Sequence, residues 1–110
     1  VAAVLEKTGM PLVIRELKVP ALLPGQVLVK VLYSGVCRSQ LMEVRGERGE
    51  DRWVPHLLGH EASGIVLSIG SGVTKVKPSD EVILTWIKGL GADAPGGLFF
   101  DGGGKLIPGQ

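Results

Sequence analysis

The sequence predicts a mainly β fold, a small irregular β-barrel with one short helix. Short apolar runs alternate with turns that contain glycine or proline, which is typical of strands joined by tight connections. Residues 39–44 are the one convincing helical turn in the pattern. Eight of the last 22 residues are glycine, so residues 89–110 are expected to form a loop or linker without strands.

Each predicted strand ends at a turn signal. The run at 27–33 is largely apolar on both faces, which predicts a strand that is covered on two sides. Lys77-Pro78-Ser79-Asp80 has the composition of a turn. The predicted strands, in chain order, are residues 1–5, 12–19, 27–33, 62–69 and 81–87.

Composition restricts the possible functions. The 110 residues suffice for one domain with a modest core. Twelve basic residues balance 11 acidic ones without forming a basic stripe, so neither nucleic acid nor a membrane surface is expected as a partner. No apolar run approaches the roughly 20 residues of a membrane span. Cys37 is the single cysteine, which excludes an internal disulfide and favours a cytoplasmic location.

Residues with potential for chemistry lie between two predicted strands. Cys37 follows one strand, Ser39 comes two positions later, and Gly59-His60-Glu61 opens the next buried strand. Thiolate and imidazole are ligands that zinc prefers. From the residues alone, an inert buried thiol and a core histidine remain open alternatives. His56, four residues before His60, is interpreted as a loop residue.

The strongest pattern begins at this histidine. Gly59-His60-Glu61, followed by Gly64, Gly70 and Val73, resembles the signature of zinc-containing alcohol dehydrogenases. The signature places a glycine three residues after the glutamate and another six residues further on. Every fixed position of it is filled here.

Two further motifs support the same family in the same order. Gly35-Val36-Cys37-Arg38-Ser39 resembles its catalytic-cysteine motif, and Lys77-Pro78-Ser79-Asp80 is similar to its Lys-Pro-Gly-Asp turn. Residues 1–88 are therefore identified as the core of a GroES-like catalytic domain of the medium-chain dehydrogenase/reductase family. Because the family's barrel also uses later strands, the resemblance implies a barrel that is incomplete at its C-terminal end.

The resemblance implies a role for each matching residue. Cys37 and His60 would be ligands of a catalytic zinc, and Glu61 would lie near the metal as an occasional ligand. Ser39 would hydrogen-bond the substrate oxygen and pass its proton towards solvent. Arg38 would reach the pyrophosphate of the cofactor, NAD or NADP. The zinc would lower the pKa of the alcohol oxygen before hydride transfer.

The sequence also departs from the family pattern. Gln40 stands where the family has an acidic residue that orients the zinc-binding histidine from behind, so we expect a retuned site. No cysteine cluster follows residues 81–87, so we expect no structural zinc. The third zinc ligand and the dinucleotide-binding domain are expected outside this chain, since no Gly-x-Gly-x-x-Gly follows a strand.

Together these patterns predict a catalytic-domain fragment of a zinc-dependent alcohol dehydrogenase, acting on a small alcohol, aldehyde or ketone. The isolated fragment is expected to be inactive, and the parent enzyme is expected to be a homo-oligomer. One alternative is a zinc-free quinone or enoyl reductase of the same family. Another is a non-enzymatic GroES-like assembly module.

Overall fold

The computed structural model describes residues 1–91 and 93–109. The mainly β class with one short helix is confirmed, and the strands in this part of the chain form three separate sheets without a closed barrel. The helix in the described residues is too short to cross a membrane. The elements in chain order are β1 (Ala2–Leu5), β2 (Val13–Arg15), β3 (Val27–Ser34), α1 (Arg38–Val44), β4 (His56–Leu57), β5 (Glu61–Ile69), β6 (Glu81–Thr85), β7 (Leu98–Phe100) and β8 (Leu106–Pro108).

The chain divides into two compact units, and the first combines three stretches: Val1–Pro20, Val36–Gly59 and the segment from Gly96 onward. Its antiparallel sheet has the order β2-β1-β4, and β8 lies against β4. Val4, Leu5 and Ile107 are its fully buried apolar side chains in the described residues. Burial of each such side chain contributes about 1.5–3 kcal/mol, so these three form the centre of the unit.

A hairpin in the last segment was not expected from the sequence. The prediction of a loop without strands was wrong for β7 and β8, which pair antiparallel. Asp101 organises the turn between them, because its Oδ1 accepts hydrogen bonds from the backbone N–H groups of Gly103 (2.9 Å) and Lys105 (2.8 Å). The hairpin brings Ile107 into the core of the first unit.

The second unit, Ala21–Gly35 and His60–Pro95, contains the sheet β3-β5-β6. β5 is its central strand, and Gly64 of β5 lies between Val31 of β3 and Val82 of β6. Val66 of β5 is buried. The prediction that β3 is covered on two sides was wrong for its second half, where residues 31–34 are exposed and Tyr33 is 78% accessible.

The predicted turn at residues 77–80 is confirmed. Its Asp80 Oδ2 accepts a hydrogen bond from the backbone N–H of Lys77 at 2.9 Å. Ser79 lies in the left-handed region with a φ of 77°, at the position where the resembling family has glycine. The turn therefore keeps the family's backbone conformation with a residue that is less suited to it.

Candidate functional site

Cys37 is held in place by the cap at the start of α1. It is the N-cap residue, with an extended backbone (φ −104°, ψ 171°). The side-chain Oε1 of Gln40 accepts a hydrogen bond from the Cys37 backbone N–H at 2.8 Å. Gln40 is only 6% accessible, so this bond is shielded from water. The first turn of α1 thus fixes the position of the cysteine backbone.

The cap brings the Cys37 thiol and the Ser39 hydroxyl together. Sγ of Cys37 lies 2.8 Å from Oγ of Ser39, and both residues are half-buried. Arg38, between them, is exposed. The predicted ligand and the predicted proton-transfer group are therefore adjacent, while the intervening guanidinium faces solvent.

His60 and Glu61 lie together at the start of β5. His60 immediately precedes the strand and is half-buried, and Glu61 is its exposed first residue. The Glu61 backbone is anchored on both sides, by pairing with Thr85 of β6 and by a 2.9 Å hydrogen bond from the Gly35 N–H to its carbonyl oxygen. A side chain at Gly35 would contact the Glu61 carboxylate, with Oε2 3.4 Å from the added Cβ.

A second group of titratable side chains surrounds His56, a residue that the sequence predicts to lie in a loop. That interpretation was wrong, because His56 opens β4 and is 3% accessible. Its Nε2 lies 2.8 Å from Oδ2 of Asp51 and 3.8 Å from Oε1 of Glu43. Its Nδ1 lies 2.8 Å from the carbonyl oxygen of Leu57. We call Glu43, Asp51 and His56 the His56 cluster.

Electrostatic interactions favour the charged forms of His56 and Asp51. Burial alone lowers the pKa of His56, but the hydrogen bonds with Asp51 and Leu57 and the negative charges of Asp51 and Glu43 outweigh burial and raise this pKa above 6.5. The hydrogen bond with His56 lowers the pKa of Asp51 below 3.8. The cluster is therefore an ion pair with a second carboxylate close by.

A comparison with known protein families identifies the family of this chain. Residues 23–99 match the alcohol dehydrogenase GroES-like domain. The chain belongs to this family. The matched residues include the capped cysteine, His60 and Glu61, and the whole β3-β5-β6 sheet, so the family expected from the sequence is confirmed.

Relatives of this GroES-like domain are dehydrogenases by name. The S-(hydroxymethyl)glutathione dehydrogenase of Photobacterium damsela subsp. piscicida is 44% identical over 82 residues, which are 74% of this chain and 22% of that protein. The enzyme of the same name from Escherichia coli O6:H1 strain CFT073 is 41% identical over 90 residues, which are 82% of this chain and 24% of that protein.

A solved structure agrees with these relatives. The zinc dependent alcohol dehydrogenase 2 from Streptococcus pneumonia, in its apo form, matches with a TM-score of 0.65 and 26% identity over 76% of this chain and 24% of that one. The GroES-like domain described here thus spans about a quarter of the length of the proteins it matches.

The structure brings the predicted site residues together in two groups. Cys37, Ser39 and Gln40 meet at the start of α1, and His60 and Glu61 lie together at the start of β5. The sequence patterns did not predict the His56 cluster, because the spacing of its three members follows neither the period of a helix nor that of a strand. The available signal was a histidine with acidic residues upstream, which is common in surface loops.

Proposed function

We propose that this chain is the zinc-binding and substrate-binding part of a zinc-dependent alcohol dehydrogenase, which transfers hydride between an alcohol or carbonyl compound and NAD or NADP. The observation that carries the proposal is the family match over residues 23–99, which contains Cys37, Ser39, His60 and Glu61 in their motif positions. The names of the relatives support an oxidoreductase. No observation favours a zinc-free reductase or an assembly module.

The donor atoms of these residues fit zinc. Cys37 offers a sulfur, His60 an imidazole nitrogen and Glu61 carboxylate oxygens, which are the donors that zinc accepts in proteins. When bound, zinc supplies a Lewis acid that lowers the pKa of an alcohol oxygen. The N-cap position of Cys37 and the strand pairing of Glu61 limit the motion of their backbones, so these donors are ordered in advance.

The remaining site residues act on the substrate and the cofactor. The Ser39 hydroxyl holds the substrate oxygen by a hydrogen bond and relays its proton towards solvent, releasing its own hydroxyl proton as it accepts that of the substrate; its contact with the Cys37 thiol orients it for this role. Arg38 is exposed, so its guanidinium can bind a phosphate group of the cofactor. Gln40 acts through Cys37, because its side chain fixes the cysteine backbone.

Further parts of the enzyme complete this proposal. We infer that a third zinc ligand and a dinucleotide-binding domain lie outside the 110 residues, since the chain spans 22–24% of the length of its relatives, and that the parent protein is a homo-oligomer of the cytoplasm. Residues 1–88 provide the catalytic core, and the β7–β8 hairpin completes the packing of the first unit. A dehydrogenase that binds its substrate between two such domains needs both for activity, so the isolated chain is inactive.

The zinc content of the purified full-length protein tests the proposal. We expect about one zinc per chain, as a catalytic site requires, with loss in Cys37→Ala and in His60→Gln. His56→Gln is the matched control, because it removes the other of the two histidines and should retain zinc. A folded protein without zinc, or one in which Cys37→Ala and His60→Gln retain the metal, would contradict the assignment.

A further inference from the structure

The His56 cluster carries an inference beyond the proposed function, and it begins with the position of a proton. The carbonyl oxygen of Leu57 can only accept, so Nδ1 of His56 must carry a hydrogen to make their 2.8 Å contact. Nε2 lies 2.8 Å from a carboxylate oxygen of Asp51, which is also an acceptor. Only the imidazolium form of His56 can donate to both acceptors at once.

The environment accounts for a charge at this depth. The side chains of His56, Asp51 and Glu43 are 4%, 9% and 19% accessible, so a lone imidazolium here would be costly. The two carboxylates supply opposite charge at 2.8 and 3.8 Å from Nε2. Asp51 is itself held in position, because its Oδ1 accepts a 2.8 Å hydrogen bond from the Trp53 backbone N–H.

The contacts of protonated His56 connect three parts of the first unit. Glu43 belongs to the last turn of α1, His56 begins β4, and Asp51 lies in the segment 45–55 that connects them. Backbone hydrogen bonds join Arg45, Gly46 and Glu47 to α1, and the Gly49 amide donates to Gly46. Further along the segment, the hydrogen bond with His56 connects Asp51 to β4. β4 is anchored in turn by pairing of His56 with the fully buried Leu5.

We propose that the proton on His56 is a latch, which fastens the segment 45–55 to β4 and α1 when present and releases this segment when lost. A neutral His56 has one N–H group for two acceptors, the Leu57 carbonyl oxygen and the Asp51 carboxylate. One of the two contacts then becomes a repulsion between lone pairs, and the attraction between the imidazolium and the carboxylates of Asp51 and Glu43 is lost, so the segment is held less tightly.

The charged groups around His56 determine how the latch responds to pH. Asp51 and Glu43 face it, whereas the neighbouring strands β1 and β8 contain no charged residue. Arg48, Glu50 and Arg52 are exposed and line a cavity of about 250 Å³ with Glu43 and Asp51, where solvent screens their charges.

The sign of the pH dependence follows from these neighbours. Because the folded pKa of His56 lies above 6.5, the stabilisation is fully present below 6.5 and is lost as the pH rises through the folded value. The latch therefore holds the segment below pH 6.5 and releases it as the pH rises through the raised pKa of His56.

Nitrogen NMR spectroscopy of the chain tests the proton directly. The chain has two histidines, and His56→Gln identifies the signals of His56 by their loss. We expect both ring nitrogens of His56 to be protonated at pH 6.5, with a titration midpoint above that value. A neutral ring at that pH, or a midpoint at or below 6.5, would overturn the proposal.

Amide hydrogen exchange tests the release of the segment. The amide of Trp53 reports on the segment 45–55, because it donates to Oδ1 of Asp51, whose other oxygen bonds His56. In the wild-type chain its protection factor should fall about tenfold or more as His56 loses its proton, the effect of a hydrogen bond to a charged group. This pH series needs no variant, so it remains decisive if a substitution prevents folding.

Two variants of neighbouring residues separate the latch from a general charge effect. In Asp51→Asn, the Trp53 amide of the segment 45–55 should have a low protection factor that varies little with pH. Glu50 is an exposed carboxylate next to Asp51, so Glu50→Gln should behave like wild type. Equal pH dependence in Asp51→Asn and wild type would overturn the proposal. So would recovery of protection at high pH on addition of zinc to a Cys37→Ala, His60→Gln chain, since the cluster would then be a cation site.

Discussion

Replacing Gly64 with alanine is expected to destabilise the sheet of β3, β5 and β6, because the added methyl group has no space. A Cβ at this position would overlap the backbone carbonyl oxygen of Lys30 and lie 2.6 Å from Cγ1 of Val29. Real Cβ atoms essentially never show contacts under 3.0 Å. The obstacle on the neighbouring strand is backbone, which cannot rotate away as a side chain can.

The size of the effect follows from the position of Gly64. It is buried in the central strand and is paired on both sides, with Val31 and Val82, so relief of the overlap requires separation of β3 from β5. Overpacking of a core costs about 1–3 kcal/mol, and contact with backbone places this case near the upper limit. A loss of about 3 kcal/mol is a large part of the roughly 5–15 kcal/mol that stabilises a domain.

Urea and thermal unfolding of the chain, followed by circular dichroism, measure this loss. We expect the melting temperature to fall by roughly 10–20 °C. Gly89→Ala is the matched control, because a Cβ there meets nothing within 4 Å, and its unfolding free energy should change by less than about 0.5 kcal/mol. If Gly64→Ala were as stable as Gly89→Ala, close strand packing would not explain this signature glycine.

Three further predictions concern a turn, the hairpin and the cap. Ser79→Gly should raise the unfolding free energy by about 0.5–1 kcal/mol, because glycine adopts the positive φ without strain. The control Ser71→Gly should lower the unfolding free energy. Equal effects of the two substitutions in urea unfolding would contradict a strained φ at Ser79. Asp101→Ala should speed amide exchange in the β7–β8 turn. Because the hydrogen bond from Lys105 lowers the pKa of Asp101, wild-type protection should be lost only as the pH falls below 3.8, and loss at higher pH would contradict this origin. If the proposed zinc site is correct, Gln40→Glu in the full-length protein should tighten zinc binding about tenfold in competition with a chelator, because it restores the negative charge that the family has at this position. Weaker zinc binding by Gln40→Glu would contradict this role of the charge.

The strands with clear turn signals could be predicted from the sequence. Proline and glycine bound the runs that became β3, β5 and β6, and the Lys77–Asp80 turn followed from its composition. The second predicted strand is shorter than expected: β2 ends at Arg15, and Lys18 makes only an isolated bridge to Phe100. The pairing partner of Lys18 is distant in sequence, so local patterns could not reveal this break.

The hairpin and the His56 cluster were missed for different reasons. The glycine content beyond residue 88 masked the Asp101-Gly102 signal, which between two apolar runs is a known hairpin indicator. The His56 cluster depends on a strand of two residues and on burial produced by tertiary contacts. The motif singled out Cys37, Ser39 and Gln40, but it did not reveal the contact between the Cys37 thiol and the Ser39 hydroxyl or the hydrogen bond from the Cys37 backbone to Gln40.

The order of synthesis gives the discontinuous first unit a particular vulnerability. Its core needs Ile107, whereas Val4 and Leu5, which pack in the same unit, are synthesised about a hundred residues earlier. The second unit is complete once Pro95 has been made, so it can fold earlier than the first. At about 5–20 residues per second, Val4 and Leu5 wait several seconds for Ile107. During translation, β1 is therefore exposed to chaperones and to premature association for longer than the strands of the second unit.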